Sequence, residues 1–282
     1  MLAENARIAV LGAGNLGTAI ANGLAQSGRF ARERIILTRR RHHLLDPMRE
    51  VGYIVEPDNT KAVQAADVIL VAVEPQQIDP VLREIRPFLE PGRHTVISVV
   101  TGVPIARIEE AVGTGIPVVR AMPNTAVAVR EAVTCVASTQ GGDAAVQATA
   151  AIFQTVGTVE FITEEDMNAA TALGACVVAF FVRAIRAASP GGLEIGFSAP
   201  QALAIAAQTA RGAATLLLHS GSHPEHEIDR VTTPRGCTIT GLNQMEHEGF
   251  SSALIKGITV AAAEASRLYR RNAQATPGSK TD

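Results

Sequence analysis

Ile8-Ala9-Val10-Leu11-Gly12-Ala13-Gly14-Asn15-Leu16-Gly17 joins an apolar run, a GxGxxG turn and the start of a polar-faced segment. The run Arg7–Leu11 is continuous rather than alternating, which is the pattern of a parallel strand buried on both faces. Asn15–Ser27 reads as a helix, so the glycines lie between a strand and a helix inside a βαβ unit. A GxGxxG in that position is a dinucleotide fingerprint. Gly12 permits the tight turn, Gly14 admits a pyrophosphate close to the backbone, and Gly17 lets helix and strand pack closely. The helix N-terminus adds unpaired N–H groups and the positive end of a dipole. Gly12, Ala13, Gly14, Asn15, Leu16 and Gly17 are therefore candidate cofactor contacts. A tight structural turn without a ligand is the competing interpretation.

About 20 residues past such a turn, an NAD site places an acid on the ribose 2′-hydroxyl. Here the second strand, Arg34–Leu37, runs into Thr38-Arg39-Arg40-Arg41 with no carboxylate. Guanidinium groups match phosphate geometry, so NADP is the expected cofactor. Thr38, Arg39 and Arg40 are the expected contacts; a solvated basic loop is the alternative.

Further β runs at Asp67–Val73, Thr95–Val100 and Pro117–Ala121 alternate with helical stretches such as Gln76–Arg86. Ala132–Ala137 and Thr158–Phe161, on either side of a helix from about Asp143 to Thr155, complete the series. This alternation predicts an α/β Rossmann, doubly wound sheet. After Phe161 the texture becomes helical. Thr163-Glu164-Glu165-Asp166 reads as a helix start, with helices at Asp166–Ala188, Ala199–His219, Cys237–Glu248 and Phe250–Leu268. The expected division is a nucleotide-binding domain at 1–162, an all-α domain at 163–271 and a disordered tail at 272–282. Several late helices are apolar on more than one side, which a second subunit would bury; the alternative is that alanine serves there simply as a good helix former.

The chain of 282 residues is 47% hydrophobic and 18% charged, with net charge −2. That balance gives no electrostatic footprint for nucleic acid or an anionic membrane. Ala172–Val182 is the longest apolar stretch, short of the roughly 18 residues of a spanning helix. Charges within Met1–Ile8 argue against a signal peptide. Cys135, Cys176 and Cys237 are odd in number and far apart, which points to a reducing cytoplasm. His219, His223 and His226 lie near Glu225 and Glu227, but Pro224 interrupts the helical spacing, and no metal is expected.

The combination resembles the pyrroline-5-carboxylate reductase family over nearly the whole chain. The matching stretches are Leu11–Gly17, Val73-Glu74-Pro75-Gln76, Val119-Arg120-Ala121-Met122-Pro123-Asn124-Thr125 and Val231-Thr232-Thr233-Pro234-Arg235-Gly236-Cys237-Thr238-Ile239. The resemblance implies an N-terminal Rossmann domain and a helical domain that interlocks two subunits, often in rings of dimers, commonly decamers. It implies NADPH-dependent reduction of the C=N bond of a small cyclic imino acid, 1-pyrroline-5-carboxylate to L-proline, in proline synthesis. Val73 and Pro75 then lie at the cofactor, Asn124 faces nicotinamide and substrate, and Met122 and Pro123 shape the wall. Thr233, Arg235, Gly236, Cys237 and Thr238 form a carboxylate cradle, with Thr238 near the imine nitrogen. Read from the residues alone, Thr232-Thr233-Pro234 is an N-cap with proline at the first helical position, and an ordinary cap with no ligand fits it equally well.

Departures cluster at the substrate side. Arg235 stands where the family has glycine, Cys237 where it has threonine or alanine, and Glu74 where it has lysine. A Gly-Ser-Gly-Pro-Ala-Tyr segment is replaced by Ala175–Phe180, with Val177 and Val178 inside it and Val178 the candidate substrate contact. Two other readings therefore stay open: an imine reductase of secondary metabolism with a shifted substrate, and a non-catalytic NADP-binding regulatory protein.

Overall fold

The computed structural model describes residues 6–139 and 144–274, with side chains as far as 268. Eight strands form one sheet: β1 (Ile8–Leu11), β2 (Ile35–Thr38), β3 (Ile54–Val55), β4 (Val68–Val71), β5 (Thr95–Ser98), β6 (Val118–Met122), β7 (Ala132–Ala137) and β8 (Gly157–Phe161). Their order is β3-β2-β1-β4-β5-β6-β7-β8. Every neighbouring pair is parallel except β6 and β7. The chain starts at a central strand, builds outward to β3, then returns to build the other way from β4. That reversal beside β1 is where open α/β sheets bind ligands.

All residues of β1, β2 and β4 are buried, as their apolar sequences require, with Thr38 at the end of β2 the one polar residue among them. Alternate β1 residues feed separate cores: Ile8 and Val10 join one, Ala9 and Leu11 the other. On the first side pack α1 (Asn15–Gln26) through Ile20 and Leu24, and α6 (Ala144–Phe153) through Ile152 and Phe153. On the second side α3 (Asn59–Gln64), α4 (Ile78–Ile85) and α5 (Ile105–Val112) contribute Val63, Leu82 and Ile108. The short α2 (Asp46–Glu50) follows β2. β3, α2, α3 and α5 were not legible beforehand. β3 has only two residues, and α2 and α3 are one to two turns long, too short to show a period.

Beyond β8 come α7 (Met167–Ala170), a π-helical turn at Thr171–Cys176, and α8 (Val177–Glu194). α9 (Ala199–Ser220), α10 (Pro224–Val231), α11 (Cys237–His247) and α12 (Phe250–Gln274) follow. Thr163 is not the expected N-cap. Its hydroxyl donates to Asp166 Oδ2 (2.8 Å), and Asp166 occupies the cap position of α7. α10 corrects the expectation that Pro224 breaks the helix. Pro224 sits at the first helical position, where its missing N–H costs nothing, and His223 Nδ1 accepts the Glu225 N–H at 3.3 Å. α12 continues through Asn272 to Gln274; the remainder of the expected tail, 275–282, lies outside the described residues.

Two compact units emerge. One comprises the described residues to Cys176 together with those from Ala261 on; the other is Val177–Val260. The first unit extends past the expected boundary near 162 because Met167 packs with Met122 and Ala137. Within the second, a Cβ at Gly192 would lie 2.6 Å from Ala202 Cβ, which brings α8 and α9 close together. That unit buries only Val177 and Ala202 among its hydrophobic residues. Leu218 (83% exposed), Ile195 (76%) and Ile255 (63%) are open to solvent. Met167–Glu194 is also long and apolar enough, by length and composition, to cross a membrane. The continuous-run reading missed this because Arg183 and Arg186 divide the stretch.

Candidate functional site

β1 must become α1 within three residues, and Gly12 makes that possible. It sits at φ +93°, and a Cβ there would lie 2.6 Å from Val73 Cγ1 and 2.8 Å from the Ala72 carbonyl oxygen. The Gly12 and Ala13 N–H groups both donate to Thr38 O, at 3.2 and 2.8 Å, and the Gly14 N–H donates to Gly12 O at 2.7 Å. These donors tie the turn to β2. Ala13, fully buried, thus acts through the fold, with its N–H already engaged. The first bond of α1 is Thr18 N–H to Gly14 O, 2.9 Å, so Asn15, Leu16 and Gly17 hold the N–H groups without an intrahelical partner. A Cβ built on Gly14 would enter open space, with Gly12 O nearest at 4.0 Å. A Cβ on Gly17 would meet Gly12 O at 2.8 Å, the close helix–turn approach that this position demands.

A cavity of about 570 Å³ opens over this turn. It brings together Gly12, Gly14, Thr38, Arg39, Arg40 and Val73 from the expected set, with Arg41 and Glu74 beside them. Among the described residues, none of the three guanidinium groups has a carboxylate within ion-pair distance. Three uncompensated cations at the lip of a cavity form a site for an anion. Pro75 opens a 3₁₀ turn, Pro75–Gln77, that follows β4.

Asn59 also lines the cavity and escaped the sequence reading. The Thr38 hydroxyl donates to Asn59 Oδ1 (2.6 Å), and Asn59 Nδ2 donates to Glu84 Oε2 (3.0 Å). The available signal was Asp58-Asn59-Thr60: Asp58 Oδ1 accepts the Thr60 N–H at 2.8 Å and caps α3, which sets Asn59 at its first position. Hydrogen bonds from the Thr60 hydroxyl and backbone hold the Asp58 carboxyl below its ordinary range.

At the carboxyl end of β6, Met122 and Asn124 are buried. Met122 faces Ala137 and Met167, so it belongs to a packing cluster. Asn124 Oδ1 accepts the Ala126 N–H and its Nδ2 donates to Gly174 O, both at 2.9 Å. The amide therefore clamps the loop after β6 to the π-helical turn. Four residues before Asn124, buried Arg120 donates to Glu164 Oε1 (3.1 Å), and the same oxygen accepts the Ile105 N–H (2.6 Å) at the start of α5. Burial lowers the Arg120 pKa while Glu164 opposes the shift.

Thr233, Arg235, Gly236, Cys237, Thr238 and Val178 fall in the second unit. The expected proline-led helix start is corrected there. Thr233-Pro234-Arg235-Gly236 is a turn closed by Gly236 N–H to Thr233 O (2.9 Å), and α11 begins at Cys237 with Gly236 as its cap. Proline second and a positive φ third is the type II pattern. Arg235 takes that third place at φ +61°, where glycine is the unstrained residue. No side chain caps α11. The Cys237, Thr238 and Ile239 N–H groups are left without intrahelical carbonyls, an anion-binding arrangement. His219 lies on α9 and His223 caps α10. Among the described residues no group of three or more His, Cys, Asp or Glu could hold a metal ion.

Residues 164–268 match a family model described as pyrroline-5-carboxylate reductase dimerisation, and residues 7–102 one described as NADP oxidoreductase, coenzyme F420-dependent. Pyrroline-5-carboxylate reductase 1 of Dictyostelium discoideum is 47% identical over 95% of the chain, which spans half of that protein's length. Pyrroline-5-carboxylate reductase 2 of the same organism is 45% identical, with 94% of both chains covered. The crystal structure of Plasmodium falciparum pyrroline carboxylate reductase with NADP bound superposes with TM-score 0.85 at 25% identity, covering 94% of this chain and 99% of that one.

Proposed function

The chain belongs to the pyrroline-5-carboxylate reductase family, and on that premise we propose that it reduces 1-pyrroline-5-carboxylate to L-proline with NADPH, in proline biosynthesis. The cavity over the Gly12–Gly17 turn carries this reading. Its shape and charge fit the cofactor: open space above Gly14 for a pyrophosphate, free N–H groups on Asn15, Leu16 and Gly17, and unpaired Arg39 and Arg40 for a 2′-phosphate. When bound, NADPH supplies hydride to the carbon of the C=N bond.

The protein's own task is to hold and orient. Val73 and Pro75 border the nucleotide, and Pro123 leads into Asn124, which positions the loop after β6 through its two hydrogen bonds. The bare N-terminus of α11 receives the substrate carboxylate through the N–H groups of Cys237 and Thr238. Gly236 gives close approach, and Thr233, Arg235 and Val178 border the imino acid. The Thr238 hydroxyl stands by the imine nitrogen. A protonated imine is already electrophilic, so Thr and Asn suffice where a strong general acid would otherwise be needed. Residues 1–162 bind nucleotide, and 163–271 bind substrate and pair subunits. The exposed apolar side chains of the second unit support a homo-oligomer, arranged as a dimer or a ring of dimers up to a decamer. Its partners are a small imino acid and its own copies, with no nucleic acid and no membrane. Three free cysteines suit the cytoplasm.

Incubating the purified protein with NADPH and pyrroline-5-carboxylate, while following nicotinamide absorbance, tests the proposal. Steady oxidation is expected. Arg39→Ala with Arg40→Ala should weaken NADPH by about 10- to 100-fold, the scale of lost charge-assisted bonds, and leave NADH unchanged. Oxidation with a different imine only would establish a shifted substrate. Tight nucleotide binding with no turnover on any imine would mean a regulatory protein.

A further inference from the structure

Glu74 is the sole carboxylate among the described residues lining the nucleotide cavity, where Arg39, Arg40 and Arg41 supply three positive charges. Arg39–Arg41 leave the carboxyl end of β2, and Glu74 follows β4, with β1 and its glycine turn between. Acid and cations thus sit on opposite sides of the turn that receives the nucleotide. Glu74 is exposed. Its main chain is spoken for, since its carbonyl accepts the Gln77 N–H at 2.8 Å. Among the described residues its carboxylate has no cation within ion-pair distance. Glu74 precedes the Pro75–Gln77 turn, and its side chain makes no capping hydrogen bond there.

A ribose 2′-phosphate is attracted by the arginines and repelled by a carboxylate in the same cavity. A ribose 2′-hydroxyl has no charge for the arginines to neutralise, but it has a proton to give to an acceptor. We propose that Glu74 is a selectivity residue of the cavity, opposing the arginines so that the preference for NADPH over NADH is held down and NADH is also accepted. This rests on the nucleotide-dependent function proposed above.

Calorimetric titration of the full chain with NADPH and with NADH, for the parent, Glu74→Gln and Glu74→Asp, tests it. Glu74→Gln should tighten NADPH on the order of 3- to 10-fold, the effect of one removed charge in a partly screened site. NADH, which lacks the 2′-phosphate charge, should gain less than NADPH. The NADPH gain should shrink at high salt, and Glu74→Asp should keep the parent ratio. An equal change for both nucleotides, or no change in their ratio, overturns the inference. A parent that binds neither nucleotide overturns it together with the proposed function. A parent whose NADPH affinity depends on Arg39 while Glu74→Gln leaves the ratio intact overturns the inference alone. Melting temperatures of both Glu74 variants should match the parent, which separates a selectivity effect from damage to the fold.

Discussion

Adding one methyl group to Gly12 and, separately, to Gly14 should produce two opposite failures. At Gly12 the new Cβ meets the Ala72 carbonyl oxygen at 2.8 Å and Val73 Cγ1 at 2.6 Å, on a backbone already at φ +93°. The conformation alone costs about 1–2 kcal/mol for a residue with a side chain, and displacing backbone adds about 1–3 kcal/mol. A loss near 3 kcal/mol in a chain of this size lowers Tm by roughly 6–12 °C. At Gly14 the backbone is extended, with φ −83°, and the nearest atom to a Cβ is 4.0 Å away. Gly14→Ala should therefore keep stability within about 1 kcal/mol. Its methyl instead fills the space a pyrophosphate must enter, and NADPH affinity should fall by about 100-fold, or about 2.7 kcal/mol. Thermal melts without ligand and calorimetry with NADPH separate the two effects. If Gly14→Ala binds NADPH like the parent, or melts as low as Gly12→Ala, the division of labour between the two glycines is wrong.

Asn124→Asp keeps the acceptor for Ala126 N–H but presents oxygen to the Gly174 carbonyl; urea unfolding should show a loss of about 1–3 kcal/mol, and an unchanged midpoint would dismiss the clamp. Arg235→Gly relieves a left-handed residue in a type II turn and should stabilise the protein by roughly 0.5–1 kcal/mol in the same assay; destabilisation would mean that the arginine side chain makes compensating contacts. Burial, followed by the nearby Arg93 charge, lowers the His94 pKa, while its Nδ1 accepts the Glu90 N–H at 2.8 Å. The unfolded chain then takes up the proton near pH 6.5 and the folded one only below it, so stability should fall as pH drops from about 6.5 toward the folded pKa. His94→Gln should flatten that part of the stability–pH curve, and an identical slope in parent and variant would exclude His94 as its source.

The centre of the sheet was legible because β1 and β4 are unbroken apolar runs, buried at every residue, and burial on both faces leaves sequence little freedom there; β6 and β8, interrupted by Arg120 and Glu160, were legible through their valines and the alternation with helices. The cavity lining was legible at Gly12, Gly14 and Arg39 because a tight chain turn demands glycine and a run of arginines stands out by charge alone. Asn59 was not, since its importance depends on a contact with Thr38 that is 21 residues away. Nor was the engaged state of Ala13 or Asn124, because hydrogen-bond partners such as Thr38 O and Gly174 O are set by tertiary placement. α10 was misread through Pro224, whose effect on a helix changes sign between its first turn and its interior.

The second unit buries almost nothing of its own, and this makes concentration a thermodynamic variable for the protein. Where the native form of a segment is completed only by another copy, unfolding releases separate chains, and mass action favours release on dilution. For a two-chain assembly each tenfold dilution removes about 1.4 kcal/mol per mole of complex. Melting points taken at micromolar and nanomolar protein should then diverge, with the dilute sample giving way first.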